Sequence, residues 1–130
     1  MKFVNRTQEL DELEELWSRP SAQMVVIYGR RRTGKTTLLS KFLQGKPHLF
    51  WVADRFPSAT LLGDFSRAIF AYQHPEIAVD ANFTYPSWEM ALRSVAELAT
   101  ERRIGIVIDE LPYAVEAEPA LPSLLQRLWD

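Results

Sequence analysis

Between Val25 and Phe42 the chain passes from four consecutive apolar residues into Gly29-Arg30-Arg31-Arg32-Thr33-Gly34-Lys35-Thr36, then returns to helical spacing through Leu38, Leu39 and Phe42. No other feature constrains the fold as tightly. The spacing G-x-x-x-x-G-K-[ST] demands a buried strand that stops abruptly, a turn closed by two glycines and a helix that starts within it. At ordinary residue frequencies about 0.4% of chains of this length would show it by chance, before the strand and helix are required as well.

Three apolar runs read as buried strands: "QMVVIYG", "HLFWVA" from His48 to Ala53, and "IGIVID" from Ile104 to Asp109. Each is short, rich in β-branched or aromatic residues, and bounded by polar residues or glycine. Helical spacing separates them. Asn5 or Thr7 can cap a first helix through Leu10, Leu13, Leu16 and Trp17 that ends near Arg19-Pro20. A second runs from Thr36 to Gln44 with Gly45 as its C′ residue, and others cover Ser58 to Tyr72, Ser87 to Thr100, and Leu121 to Trp129. Gln73 to Pro86 reads as a long surface connection. Strands alternating with helices predict parallel pairing, and hence an α/β sandwich in a single domain over residues 1–130.

Composition narrows the rest. A chain of 130 residues can bury roughly two-thirds of its unfolded surface without a covalent staple. It contains no cysteine, which excludes disulfides, thiolate metal sites and a thiol nucleophile, and favours a reducing, cytoplasmic setting. Fifteen basic against 17 acidic residues leave a net charge of −2, so nothing marks the whole chain as a nucleic-acid binder. No stretch approaches the roughly 20 apolar residues of a membrane span.

The chemistry of the glycine-bounded loop follows from its residue types. Gly29 and Gly34 allow backbone amides, including those of Arg30 to Thr33, to turn toward an anion that a Cβ would fend off, and the helix start adds unpaired donors. Lys35 is placed for β- and γ-phosphates, Thr36 for a Mg²⁺ ligand and Thr37 for the α-phosphate. Arg30, Arg31 and Arg32 are not required by the pattern. They stand open between a solvated patch, support for triphosphate charge, and contact with a partner or nucleic acid. The strand ending in Asp109, with Glu110 next, supplies the acids such a loop needs: Asp109 for the metal shell, Glu110 to polarise an attacking water. The absence of an N-K-x-D pattern favours ATP over GTP. His48 and His74 lack metal spacing and read as strand and loop residues. Trp17, Trp51, Trp88 and Trp129 read as core.

Together, "FVNRTQELDELEELW", "VVIYGRRRTGKTTLL" and "IVIDELPYAVEAEPALPSLLQRLWD" resemble the archaeal-type ATPase family, a branch of the AAA+-related P-loop NTPases. The resemblance implies a Walker A loop, a Walker B strand, and a nucleotide whose adenine lies near Phe3, Val4 and Arg6. It also implies further strands, a sensor and a lid that such ATPases carry after this portion, one strand lying between the Walker A and Walker B strands. The expected outcome is a gap or rearrangement there, an uncovered apolar face at Leu121, Leu124, Leu125 and Leu128, and self-association or strand exchange. The functional expectation is a Mg-dependent module binding ATP or ADP with slow hydrolysis. A nucleotide-sensing scaffold and a small-molecule kinase are the competing readings.

Overall fold

The computed structural model describes residues 2–5, 14–15, 17–18, 25–28, 41–101 and 103–129. These form four strands, β1 (Lys2–Asn5), β2 (Val25–Tyr28), β3 (His48–Val52) and β4 (Gly105–Asp109), and four full helices. The helices are α1 (Ser58–Gln73), α2 (Trp88–Glu101), α3 (Leu111–Ala117) and α4 (Leu121–Trp129). Glu14, Glu15, Trp17 and Ser18 are also helical, as are Lys41 to Leu43.

Every strand pair is parallel. β1 pairs with β2, Lys2 opposite Val25 and Asn5 opposite Tyr28, and β3 pairs with β4, His48 opposite Gly105 and Val52 opposite Asp109. β2 lies alongside β4, but among the described residues no ladder pairing joins them. β1 is an element that the sequence does not announce: there Asn5 enters only as a candidate helix cap, and Phe3 and Val4 only through the family resemblance.

One face of the β3–β4 pair is closed by α1 and α2. The apolar stripe Leu61, Phe65, Ile69 of α1 and the stripe Trp88, Ala91, Leu92, Val95, Ala99 of α2 are buried in the core. Trp51 of β3 meets Phe65 at 4.9 Å between ring centroids, and Phe65 stacks on Trp88 at 5.8 Å. At the opposite face, a Cβ at Gly105 would lie 3.0 Å from Leu43 Cδ2 and 3.4 Å from Trp17 Cζ3, so those side chains press directly on the β4 backbone. A parallel pair covered on both faces explains why its strands are apolar throughout. Gly45 ends the helix before β3 with φ +81°, the left-handed C′ geometry its position suggested.

Polar ties among the described residues run both from element ends and from the middle of α1. Ser58 Oγ donates to Glu118 Oε1 (3.0 Å) and accepts from Trp88 Nε1 (2.9 Å), which links α1, α2 and the segment after α3. Trp51 Nε1 donates to Asp64 Oδ2 (2.8 Å). Ser66 Oγ accepts from Tyr85 N (3.0 Å), pinning the long 74–87 connection onto α1. Ser87 Oγ accepts from Met90 N (3.2 Å) and starts α2.

Two expectations are corrected. After β4 the chain forms two helices, since Pro112 starts α3 and the Glu118-Pro119 step ends it before α4. The apolar face of α4 is not uncovered: Leu121 and Leu125 are fully buried and Leu124 and Leu128 partly so, with α4 packed on α2. The case for self-association through that face falls with it.

Truncating Phe65 to Ala removes the ring shared by Trp51 and Trp88. It is expected to cost about 3–5 kcal/mol in urea unfolding followed by tryptophan fluorescence. Ser58→Ala leaves the buried Trp88 indole without an acceptor and is expected to cost about 1–3 kcal/mol in the same measurement.

Candidate functional site

Parallel pairing brings strand exits together. Asn5 lies opposite Tyr28, so the chain leaves β1 beside the point where it leaves β2 for Gly29. Val52 lies opposite Asp109, and Ala53 N donates to Asp109 O at 3.0 Å, so the segment after β3 leaves beside Glu110.

The acid doublet sits at the exit of β4. Asp109 is 2% exposed and Glu110 6% exposed, the deepest carboxylates among the described residues. Asp109 Oδ1 accepts from Glu110 N at 2.9 Å, which holds the first carboxylate against the turn. Glu110 has φ +58° and ψ +36°, the left-handed region, at the residue that caps α3. A non-glycine side chain there is uncommon and costs of order 1 kcal/mol or more, so the surroundings enforce it. The Glu110 side chain offers no cap hydrogen bond to α3, although its carbonyl accepts from Tyr113 N at 3.0 Å. Glu110 Oε1 is buried with no hydrogen-bond partner among the described residues. Buried carboxylate oxygens are almost always satisfied, so this one has the capacity to accept from a polar ligand or water.

The described residues include no group of three or more His, Asp or Glu able to hold a metal alone. Asp109 therefore stands as one oxygen donor of a potential set rather than a complete site. Oxygen-only donors of this kind suit a hard divalent cation such as Mg²⁺. His48 belongs to β3 and its Nδ1 lies 2.8 Å from Lys46 O, while His74 follows α1 and packs against Phe70. Neither approaches the acids as a ligand group.

Gly29 to Thr37 and Arg6 lie outside the described residues, and so do the side chains of Phe3 and Val4. The backbone of Phe3 and Val4 is within β1, opposite Val26 and Ile27. The sequence reading missed one feature of this edge, a cleft of about 510 Å³ between the 55–58 segment and α3. Arg55 lies over the Tyr113 ring at 5.2 Å across it. Its signal was an aromatic residue in "DRFP", directly after an apolar strand, where solvation alone would favour a small polar residue.

The chain resembles two proteins of Methanocaldococcus jannaschii. It is 29% identical to the uncharacterized protein MJECL04 over 128 residues, 98% of this chain and 26% of that protein. It is 52% identical to the uncharacterized ATP-binding protein MJ0423 over 44 residues, 34% of this chain and 75% of that protein. The chain thus spans about a quarter of the length of MJECL04. No solved structure is significantly similar to it. Among the described residues no helix is long and apolar enough to cross a membrane. With strand exits paired, an acid doublet buried at one of them and a family model matching residues 3–130, the chain belongs to the ATPase domain family found predominantly in Archaea.

Proposed function

We propose that this chain is the ATP-binding module of a P-loop ATPase, one domain over residues 1–130, in which the loop after β2 and the acids after β4 act on the same nucleotide. The observation that carries the reading is the orphaned, buried Glu110 oxygen beside Asp109. Family membership and the printed description of MJ0423 as ATP-binding support the nucleotide.

In this reading the amides of Gly29 to Gly34 receive the phosphates, Lys35 contacts the β- and γ-phosphates and Thr37 the α-phosphate. Thr36 and Asp109 would hold Mg²⁺, which when bound neutralises charge developing on the phosphate oxygens. Glu110 holds a water for in-line attack and accepts its proton at the otherwise unpaired Oε1. A left-handed backbone at that residue sets the carboxylate apart from the helix it precedes, so it is not consumed as a cap. Phe3, Val4 and Arg6 would lie near the adenine, and the Phe3 and Val4 backbone runs in β1 opposite Val26 and Ile27 of the strand that precedes the phosphate loop. Turnover by this chain alone is slow, since a finger arginine supplied from outside is worth about 10³ to 10⁵ in rate in related chemistry.

Isothermal titration with ATP and ADP, each with and without Mg²⁺, tests the loop. Lys35→Ala is expected to weaken ATP binding by about 10- to 100-fold, the value of a charge-assisted contact to phosphate. Unchanged affinity would overturn the reading. Glu110→Gln separates binding from hydrolysis: ATP affinity is expected to stay within about threefold while single-turnover phosphate release falls by about 10² or more. If binding persists and phosphate release is absent in the parent chain as well, the protein is a nucleotide-sensing scaffold. Phosphate appearing on an added small acceptor instead would make it a kinase.

A further inference from the structure

We propose that α3 is a hinged coupling element: it turns about Glu110 as the nucleotide site fills, and the hydrogen bond between Ser58 and Glu118 at its far end is the latch that this turn breaks. The inference rests on the nucleotide reading above and adds to it a route by which occupancy leaves the site.

α3 is seven residues long and buries Leu111 and Ala114. Its near end is held under strain. Glu110 keeps a left-handed backbone, φ +58°, and its buried Oε1 has no hydrogen-bond partner among the described residues. Such a residue stays in place because contacts elsewhere hold it there. At the far end the helix stops at Glu118, where φ −136° and ψ 86° are no longer helical. Non-helical residues at both ends allow a short element to turn as a unit.

On its open flank α3 faces the cleft of about 510 Å³ that separates it from the 55–58 segment. Among the described residues two directed contacts cross this gap, Arg55 over the Tyr113 ring at 5.2 Å and Ser58 Oγ donating to Glu118 Oε1 at 3.0 Å. The first is a stacking contact of an exposed arginine and tolerates sliding, whereas the second fails once stretched by about 1 Å. Seven residues at about 1.5 Å each make a lever roughly 10 Å long, so a rotation of about 20° at Glu110 carries Glu118 roughly 3–4 Å away from Ser58. Ser58 still accepts from Trp88 Nε1 at 2.9 Å, so α1 and α2 stay joined when the latch opens.

The strain at Glu110 and the contact at Ser58 are of the same order, so a donor brought to Oε1 tips the balance between two orientations of the helix. α3 also packs against β2, whose last residue, Tyr28, precedes Gly29. A turn of the helix therefore bears on the strand that leads into the phosphate loop.

The first test has a sign that a merely structural contact would not give. Glu118→Ala removes the latch and is expected to tighten Mg-ATP binding in isothermal titration by about threefold to tenfold, the net value of one hydrogen bond that no longer has to be broken. Glu118→Gln keeps an acceptor for Ser58 and is expected to stay near the parent. The second test uses the absence of cysteine from the chain. Nitroxides on Phe56→Cys and Glu116→Cys, both exposed at the cleft, report its width through their dipolar coupling. Mg-ATP is expected to change that distance by roughly 3–4 Å, and Glu118→Ala to produce part of the same change without nucleotide. Unchanged or weaker ATP binding by Glu118→Ala, or a cleft width that ATP leaves alone, would overturn the proposal while the nucleotide reading stands. A chain that binds neither ATP nor ADP would overturn both.

Discussion

The structure depends on a single constraint, the parallel pairing of β3 with β4. A parallel pair cannot close with a tight turn, and here the connection between them runs through α1, the 74–87 segment and α2. That crossover is what covers one face of the strands. Pairing in register also determines where the chain exits. Because Val52 lies opposite Asp109, the two segments that leave the strands do so side by side, joined by the Ala53–Asp109 hydrogen bond. The buried acids and the cleft next to them are consequences of that register.

The core that enforces the register is aromatic and polar at once. Trp51, Phe65 and Trp88 supply much of the buried area at the centre, but two of the three carry an N–H that burial would strand. Asp64 and Ser58 answer those two donors, one from mid-α1 and one from its first turn. The orientation of α1 against the sheet is therefore set by hydrogen-bond geometry as well as by shape. A shift of α1 along its axis would leave an indole unsatisfied, a penalty that apolar contacts alone would not impose.

Much of this was legible in the sequence, and the exceptions have physical reasons. The apolar runs through β3 and β4 were visible because a parallel pair packed on both faces carries little polar alternation to confuse it. The Ser87 cap and the Gly45 C′ residue were visible because both act locally. β1 was not, since Lys2 to Asn5 is too short to show a period and becomes a strand only by pairing with β2. α3 was hidden because Pro112 reads as a breaker unless the helix start is known, where proline is tolerated. At the site, the identity of the acids was readable from the strand end, whereas their burial and the orphaned oxygen are tertiary facts.

Glu110 carries a consequence for how this position can vary. Glycine, or to a lesser degree asparagine, would relax a left-handed residue, and relief of a buried unpaired carboxylate would add to the gain. Folding thermodynamics thus pulls this residue away from glutamate on two separate counts. Drift unopposed by selection for chemistry would erase it early, long before the surrounding strand lost its apolar character.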